Sequence, residues 1–299
     1  MNTIVGLPFD EELARFIGKK GSENSITFYN RKMGNDVIVA LQPNMERFYS
    51  LLEVLTISDQ VVVSTKSIDK ALGEVIIALS LLEKSAIFTD DNSVDGLLKG
   101  LKIKYRIASR ASLIEAILEA RRGMGASASN GARIDIDKAF NVKGVGTVVL
   151  GIVTKGVVRV HDTLYHSSGK SIIVRSIQSQ DEDIEEAGEG TRIGIAIKGM
   201  EYDEIEKGDI LASRQIPSAK SISIEISKSP LVGEQMEQGN LYGIGCNFSY
   251  SKAFVESIDK NLARLKLEKP LPIEAGDVCL LERQAVPRIF ASGKVITNE

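Results

Sequence analysis

Short β-branched apolar runs alternate with stretches of helical spacing through residues 1–122. TIVGL (3–7), DVIVAL (36–41), QVVVS (60–64), SAIFT (85–89) and KYRIA (104–108) have the length and content of strands. Between them, ERFYSLLEVLTI (46–57), KALGEVIIALSLLE (70–83) and SLIEAILEARR (112–122) repeat their apolar positions every three or four residues. This β-α-β-α order predicts a parallel sheet covered by helices. GMGASASNGA (123–132) has Met124 as its one large apolar residue and reads as a linker. Beyond it the period drops to two, with Gly- and Asp-rich turns every 8–12 residues, as in VKGVG, TKG, SSGK, AGEG and EKGD. Two antiparallel β-barrels are predicted, over 133–217 and 218–299, with QIPSAK (215–220) at their joint. The fold class is α/β plus all-β.

Charge and composition narrow the chemistry. The net charge of −3 gives no bulk attraction to RNA, DNA or an anionic membrane, so any nucleic-acid contact must come from a local patch. Lys99, Lys102, Lys104, Arg106, Arg110, Arg121 and Arg122 form the one basic concentration, and Asp181 to Glu189 place six acidic residues within nine positions. That acidic run reads as a solvated loop. Cys246 and Cys279 are too few to staple the chain, which points to a reducing cytoplasm. His161 and His166 are the only histidines and suit structural or surface roles, so no metal site is expected. No run approaches the ~20 apolar residues of a membrane-spanning helix.

The first apolar run ends at Gly6, as the first strand of a phosphate-binding fold does. Such a fold continues with a second glycine five residues on, then lysine, then serine or threonine. Here those positions hold Glu11, Glu12 and Leu13. A carboxylate facing a phosphate at ~4 Å costs about 4 kcal/mol at an effective dielectric near 20. The two glutamates suit instead the first turn of a helix capped by Asp10. GKKGS (18–22) has similar letters but follows a helix, and reads as a helix end with a basic turn.

FNVKGVGTVVLGIVTKGVVRVHD (140–162) and VRSIQSQDEDIEEAGEGTRIGIAIKGMEYDEIEKGDIL (174–211) closely resemble domain two of the translational GTPases. The group in question comprises elongation factor Tu, its archaeal counterpart and the selenocysteine-specific elongation factor. PRIFASGKVI (287–296) resembles the last strands of their third domain. The resemblance implies that residues 1–122 are a reduced G domain, and it locates that domain's motifs. The family's Asp-Thr-Pro-Gly-His segment aligns on Pro43 and Glu46-Arg47-Phe48. Leu41 then stands for the metal-side aspartate, Asn44 for the γ-phosphate glycine and Met45 for the water-positioning histidine. The guanine-reading Asn-Lys-x-Asp falls on Thr89 to Asn92, with Asn92 in place of the aspartate. The stretch SENSITFYNRKMGN (22–35) has room for one strand and a turn, not for a full first switch.

In the family, a face of domain two receives the aminoacylated 3′ end of tRNA. The positions that match it are Phe140, Val142, Gly144, Glu186 and Arg192, although Val145 replaces the arginine common between the two glycines. Phe140 and Val142 are also expected to serve the barrel core, and Arg192 to stand on a surface strand. The resemblance implies an elongation factor-like protein that does not hydrolyse nucleotide, needs no cofactor, and binds tRNA, the ribosome or another translation factor. A protein-binding module derived from an elongation factor, or a factor that binds GTP through unconventional residues, are the alternatives.

Overall fold

A computed structural model describes residues 1–89, 94–124 and 131–298. Most of the 123–132 stretch, and the guanine-reading position Asn92, lie outside them. The first part is a seven-stranded sheet of β1 (Asn2–Gly6), β2 (Lys19–Glu23), β3 (Ile26–Met33), β4 (Asp36–Pro43), β5 (Gln60–Ser64), β6 (Ser85–Thr89) and β7 (Tyr105–Ala108), in the order β2-β3-β4-β1-β5-β6-β7. β4, β1, β5, β6 and β7 run parallel, with Val5 opposite Ala40 and Val62 opposite Ile87. β2, β3 and β4 form an antiparallel meander instead. The basic turn expected at 18–22 is therefore corrected: Gly18 does end the first helix, donating its N–H to Ala14 O at 3.0 Å, but Lys19–Glu23 is a strand. A Cβ on Gly18 would meet the Asn30 backbone at 2.8 Å, so the close approach of the two strands requires glycine there.

Among the described residues five α-helices accompany this sheet: α1 (Glu11–Ile17), α2 (Tyr49–Ile57), α3 (Lys70–Leu82), α4 (Val94–Leu98) and α5 (Leu113–Arg122). α5 buries one face, through Leu113, Ala116, Ile117 and Leu118. By contrast, α2 buries Ser50 through Leu55 together with Ile57, because the sheet covers one side and a barrel the other.

Residues 133–212 fold into β8 (Arg133–Val142), β9 (Gly146–Lys155), β10 (Val157–Arg159), β11 (Thr163–His166), β12 (Ser171–Ser179), β13 (Glu182–Ile184), β14 (Glu186–Gly188), β15 (Arg192–Lys198) and β16 (Ile210–Ala212). The order β11-β16-β8-β9-β15-β12 returns on itself through a β11–β12 pairing. The acidic segment is thus not a plain loop, since it supplies β13 and β14. A second closed barrel joins β17 (Ser218–Lys228), β18 (Leu241–Cys246), β19 (Ser249–Asp259), β20 (Leu262–Pro272), β21 (Val278–Glu282) and β22 (Ile289–Asn298), in the order β17-β20-β19-β18-β21-β22. Among the described residues no helix is long and apolar enough to cross a membrane.

Several contacts fix the α/β part against the barrels. Ile4, Ile26, Phe28, Val39, Leu41, Val54 and Ile57 meet Ile152 of the first barrel and Phe248 of the second in one dry cluster. Glu74 of α3 accepts the backbone N–H groups of Arg288 and Ile289 at 2.6 and 2.8 Å. Glu53 of α2 pairs with Lys207 at 2.5 Å, and burial pushes its carboxyl up to about 7 even though Lys207 opposes the shift. The barrels themselves join through buried Arg133, which binds Asp135, Glu274 and Asp277 at 2.7–3.2 Å.

Candidate functional site

Two regions hold the residues singled out by sequence. The first is the corner where the parallel strands end. Asp10, at φ 70°, adopts the left-handed conformation that aspartate tolerates, and its Oδ1 accepts the Leu13 N–H at 2.9 Å. A carboxylate therefore occupies the helix N-terminus, where a phosphate loop would present N–H groups to an anion. Its Oδ2 accepts the Ser64 hydroxyl at 3.0 Å and lies 2.9 Å from Lys66 Nζ. Burial raises the Asp10 carboxyl, but the hydrogen bonds from Lys66, Leu13 and Ser64 outweigh it and hold the group below its usual range. Glu12 reaches Arg110 at 2.6 Å and Lys66 at 3.3 Å. The loops after β1, β5 and β7 are thus bridged by side chains of both signs.

The other motif positions have local duties. Gly6 faces Ser58, whose Oγ would lie 2.9 Å from an added Cβ, so its lack of a side chain serves packing. Glu11 pairs with Arg15, and Leu13 is buried beneath α1. Leu41 is fully buried in the dry cluster. Asn44 shapes the turn before α2, its Oδ1 accepting the Glu46 N–H at 3.0 Å and its carbonyl the Ser50 hydroxyl at 2.8 Å. Met45 is exposed, and Thr89 ends β6 with its carbonyl taken by Thr65.

The second region is one outward face of the first barrel. Arg192 stands opposite Ile152, Gly194 opposite Leu150, and Ala196 opposite Val148. Across β8, Lys138 faces Leu150, Phe140 faces Val148, and Val142 faces Gly146. The period of two puts all of these on one side of the sheet. Ile152 is covered by the α/β part, whereas Phe140, Val142, Val148 and Leu150 are partly exposed. The expectation that Phe140 and Val142 belong to the core is corrected, because the barrel interior is filled by the alternate positions Ile134, Ile136, Val149 and Val153.

Arg192 is corrected in the opposite sense: its side chain is only 10% exposed. The α/β part closes over it, with the Phe28 ring 3.4 Å from its guanidinium and Ser22 Oγ accepting from Nη2 at 2.7 Å. Asp137 lies 3.4 Å away, while Nη1 is buried with no hydrogen-bond partner among the described residues. Burial pushes the guanidinium down to about 10, with Asp137 opposing, so it stays charged at neutral pH.

Arg192 and Gly194 line a cleft of ≈ 380 Å³ between the barrel and the β2–β3 hairpin, together with Leu150, Gln178, Lys19 and Lys20. Glu186 is not among its lining residues, since it pairs with Arg159 at 3.0 Å on the separate β10–β14 ribbon. Gly144 lies at the β8–β9 turn with φ 84° and also stands apart. The reading of GKKGS as a helix end and basic turn does not place Lys19, Lys20 and Ser22 on a cleft. The available signal was the alternation of ENSITFYNRK directly after GKKGS, which fits a hairpin.

Residues 146–212 match the family description "Elongation factor Tu domain 2". An uncharacterized protein of Methanocaldococcus jannaschii is 32% identical over 296 residues, covering 95% of this chain and 96% of that one. The chain belongs to the translational GTPase family. The selenocysteine-specific elongation factor of Haemophilus influenzae is 23% identical over 242 residues. That match takes in 75% of this family member but only 38% of the Haemophilus protein. The fold extends over the full chain in translation elongation factor SelB of Methanococcus maripaludis, solved with a GTP analogue, at a TM-score of 0.83, 20% identity and 79% coverage of that chain. This family member is thus elongation factor-like in sequence and architecture.

Proposed function

We propose that the protein is a pseudo-GTPase of the translation system that receives the aminoacylated 3′ end of a tRNA on the outward face of the first barrel. The observation behind this reading is the continuity of that face. Partly exposed Phe140, Val142, Val148 and Leu150 share one face with Arg192, and Leu150 and Arg192 both line the cleft. An apolar strip suits a nucleobase, and an adjoining cationic cleft suits the group esterified to the terminal ribose. Lys19 and Arg192, beside Lys20 that pairs with Glu23 at 2.8 Å and with Asp181 also on the lining, favour an aminoacyl side chain that is anionic at neutral pH, as a selenolate is, in line with the selenocysteine-specific factors among the relatives. Absence of nucleotide chemistry is supported by Glu11 and Glu12 in the first turn of α1, Asp10 on the helix end, and Leu41 in the dry cluster.

Gel shifts with charged and uncharged tRNA at low salt test the reading. Binding is expected in the micromolar range with preference for the charged form. Arg192→Ala should weaken it about tenfold, equivalent to ~1.4 kcal/mol, and abolish the preference. If neither tRNA shifts at low salt, the face receives a protein and the tRNA reading falls.

A further inference from the structure

The sheet has two edges. One, β2, faces the cleft. The other is β7, about 29 Å away across six strand spacings. Residues 94–112, which lead into and out of β7, carry Lys99, Lys102, Lys104, Arg106 and Arg110 against the single acid Asp95, in a chain of net charge −3. The arginines are spoken for, Arg106 by Glu119 and Arg110 by Glu12. Asp95 accepts the Tyr105 hydroxyl at 2.6 Å. Lys99, Lys102 and Lys104 are exposed and have no carboxylate partner among the described residues.

Apolar groups stand among these lysines. Leu97, Tyr105 and Ile107 are 44%, 39% and 37% exposed, and the Tyr105 ring is braced edge-on against Phe88 at 5.9 Å. β7 ends the sheet, so the backbone N–H groups on its outer side have no strand partner. Lysines commonly blunt such an edge. Blunting alone, however, does not call for lysines at 99 and 102, ahead of the strand, or for a braced aromatic ring between them.

We infer that the β7 edge binds the phosphodiester backbone of an RNA strand, as a contact separate from the tRNA-end cleft. The free ammonium groups meet phosphates, and Tyr105 offers a stacking face to a base. Positive charge on an otherwise acidic chain selects a polyanion. The exposed ring and aliphatic side chains favour single-stranded nucleic acid over an acidic peptide. The distance from the cleft makes this a second RNA contact, so it does not depend on where, or whether, a tRNA end is held.

The test uses the full chain and a fluorescent single-stranded oligouridylate. Three phosphate contacts predict a slope of roughly −2 for log affinity against log salt, hence about a twentyfold loss between about 50 and 200 mM salt. Lys99→Glu with Lys102→Glu and Lys104→Glu should lower affinity at least about tenfold and flatten that slope, with the circular dichroism spectrum unchanged. The milder Lys→Ala triple variant should fall between, and Lys252→Ala, an exposed lysine on the second barrel, should leave oligouridylate binding unaltered. Equal binding by the wild type and the charge-reversed variant overturns the inference. So does absence of binding at low salt, or equal competition by polyglutamate, which would assign the edge to an acidic protein.

Discussion

Leu41→Asp would restore the residue type that the family places on the metal side, and the structure dictates what it should do instead. Leu41 has no exposed surface and sits among Ile4, Phe28, Val54, Ile152 and Phe248. Truncating such a leucine typically costs about 2–5 kcal/mol. An aspartate there must also be protonated at pH 7, about three units above its ordinary value, adding about 4 kcal/mol at 1.36 per unit. The expected total of about 6–9 kcal/mol rivals the whole stability of an ordinary domain. Urea unfolding followed by circular dichroism measures it. The sign of its pH dependence is also set. A buried carboxyl is raised in the folded state, which then binds more protons than the unfolded chain, so the loss should shrink by about 3 kcal/mol from pH 7 to pH 5. Leu41→Ala should lack that recovery. A Leu41→Asp protein within about 1 kcal/mol of wild type at pH 7 would mean that the side chain is not in a dry cluster, and the case against a metal at this position would collapse.

Three further outcomes are expected. Titration calorimetry with GTP or GDP and magnesium should be flat, because carboxylates hold the helix end and the loop; a sub-micromolar dissociation constant would sink the pseudo-GTPase proposal. Arg133→Met should destabilise by about 3–5 kcal/mol in thermal or urea unfolding, since it strands Asp135, which is 1% exposed, while Glu274 and Asp277 keep Lys155. Glu53 is raised from 4.5 to about 7, so the unfolded chain releases this proton while the folded state still holds it, roughly 3 kcal/mol of stability should be lost as pH climbs through that window, and Glu53→Gln should flatten this part of the stability–pH curve.

The strands of the parallel core were legible because both faces of the sheet are covered. QVVVS and SAIFT are continuous apolar runs at 60–64 and 85–89, and both are strands over those residues. α2 and α3 were legible for a related reason, being long apolar stretches bounded by polar turns. What escaped was β2. KKGSE has poor strand propensity and almost no burial, and it is held as a strand by pairing with β3 rather than by its own composition. Domain two was legible through its glycines, several of which have positive φ, among them Gly144, Gly146, Gly156 and Gly190, where an L side chain would be strained. At Gly190 an added Cβ would also meet Asn2 O at 2.9 Å, so this turn doubles as a docking point for the α/β part.

The candidate site was half legible, and Phe28 explains the other half. An arginine at the start of a barrel strand looks like a surface residue, and would be one in an isolated barrel. In the assembled chain Phe28, from the β2–β3 hairpin, enters the same cluster as Leu41 and lays its ring against Arg192. Position 41 is therefore apolar, and position 192 buried, for a common reason: both lie against a ring that excludes water from the junction. A carboxylate at 41 would wet the cluster beneath Phe28, and a displaced ring would expose the guanidinium that it now covers. Position 41 and the cleft are coupled through this one side chain, so Phe28→Ala is the change that should disturb both while leaving the barrel's own core, built from Ile134, Val149 and Ile195, intact.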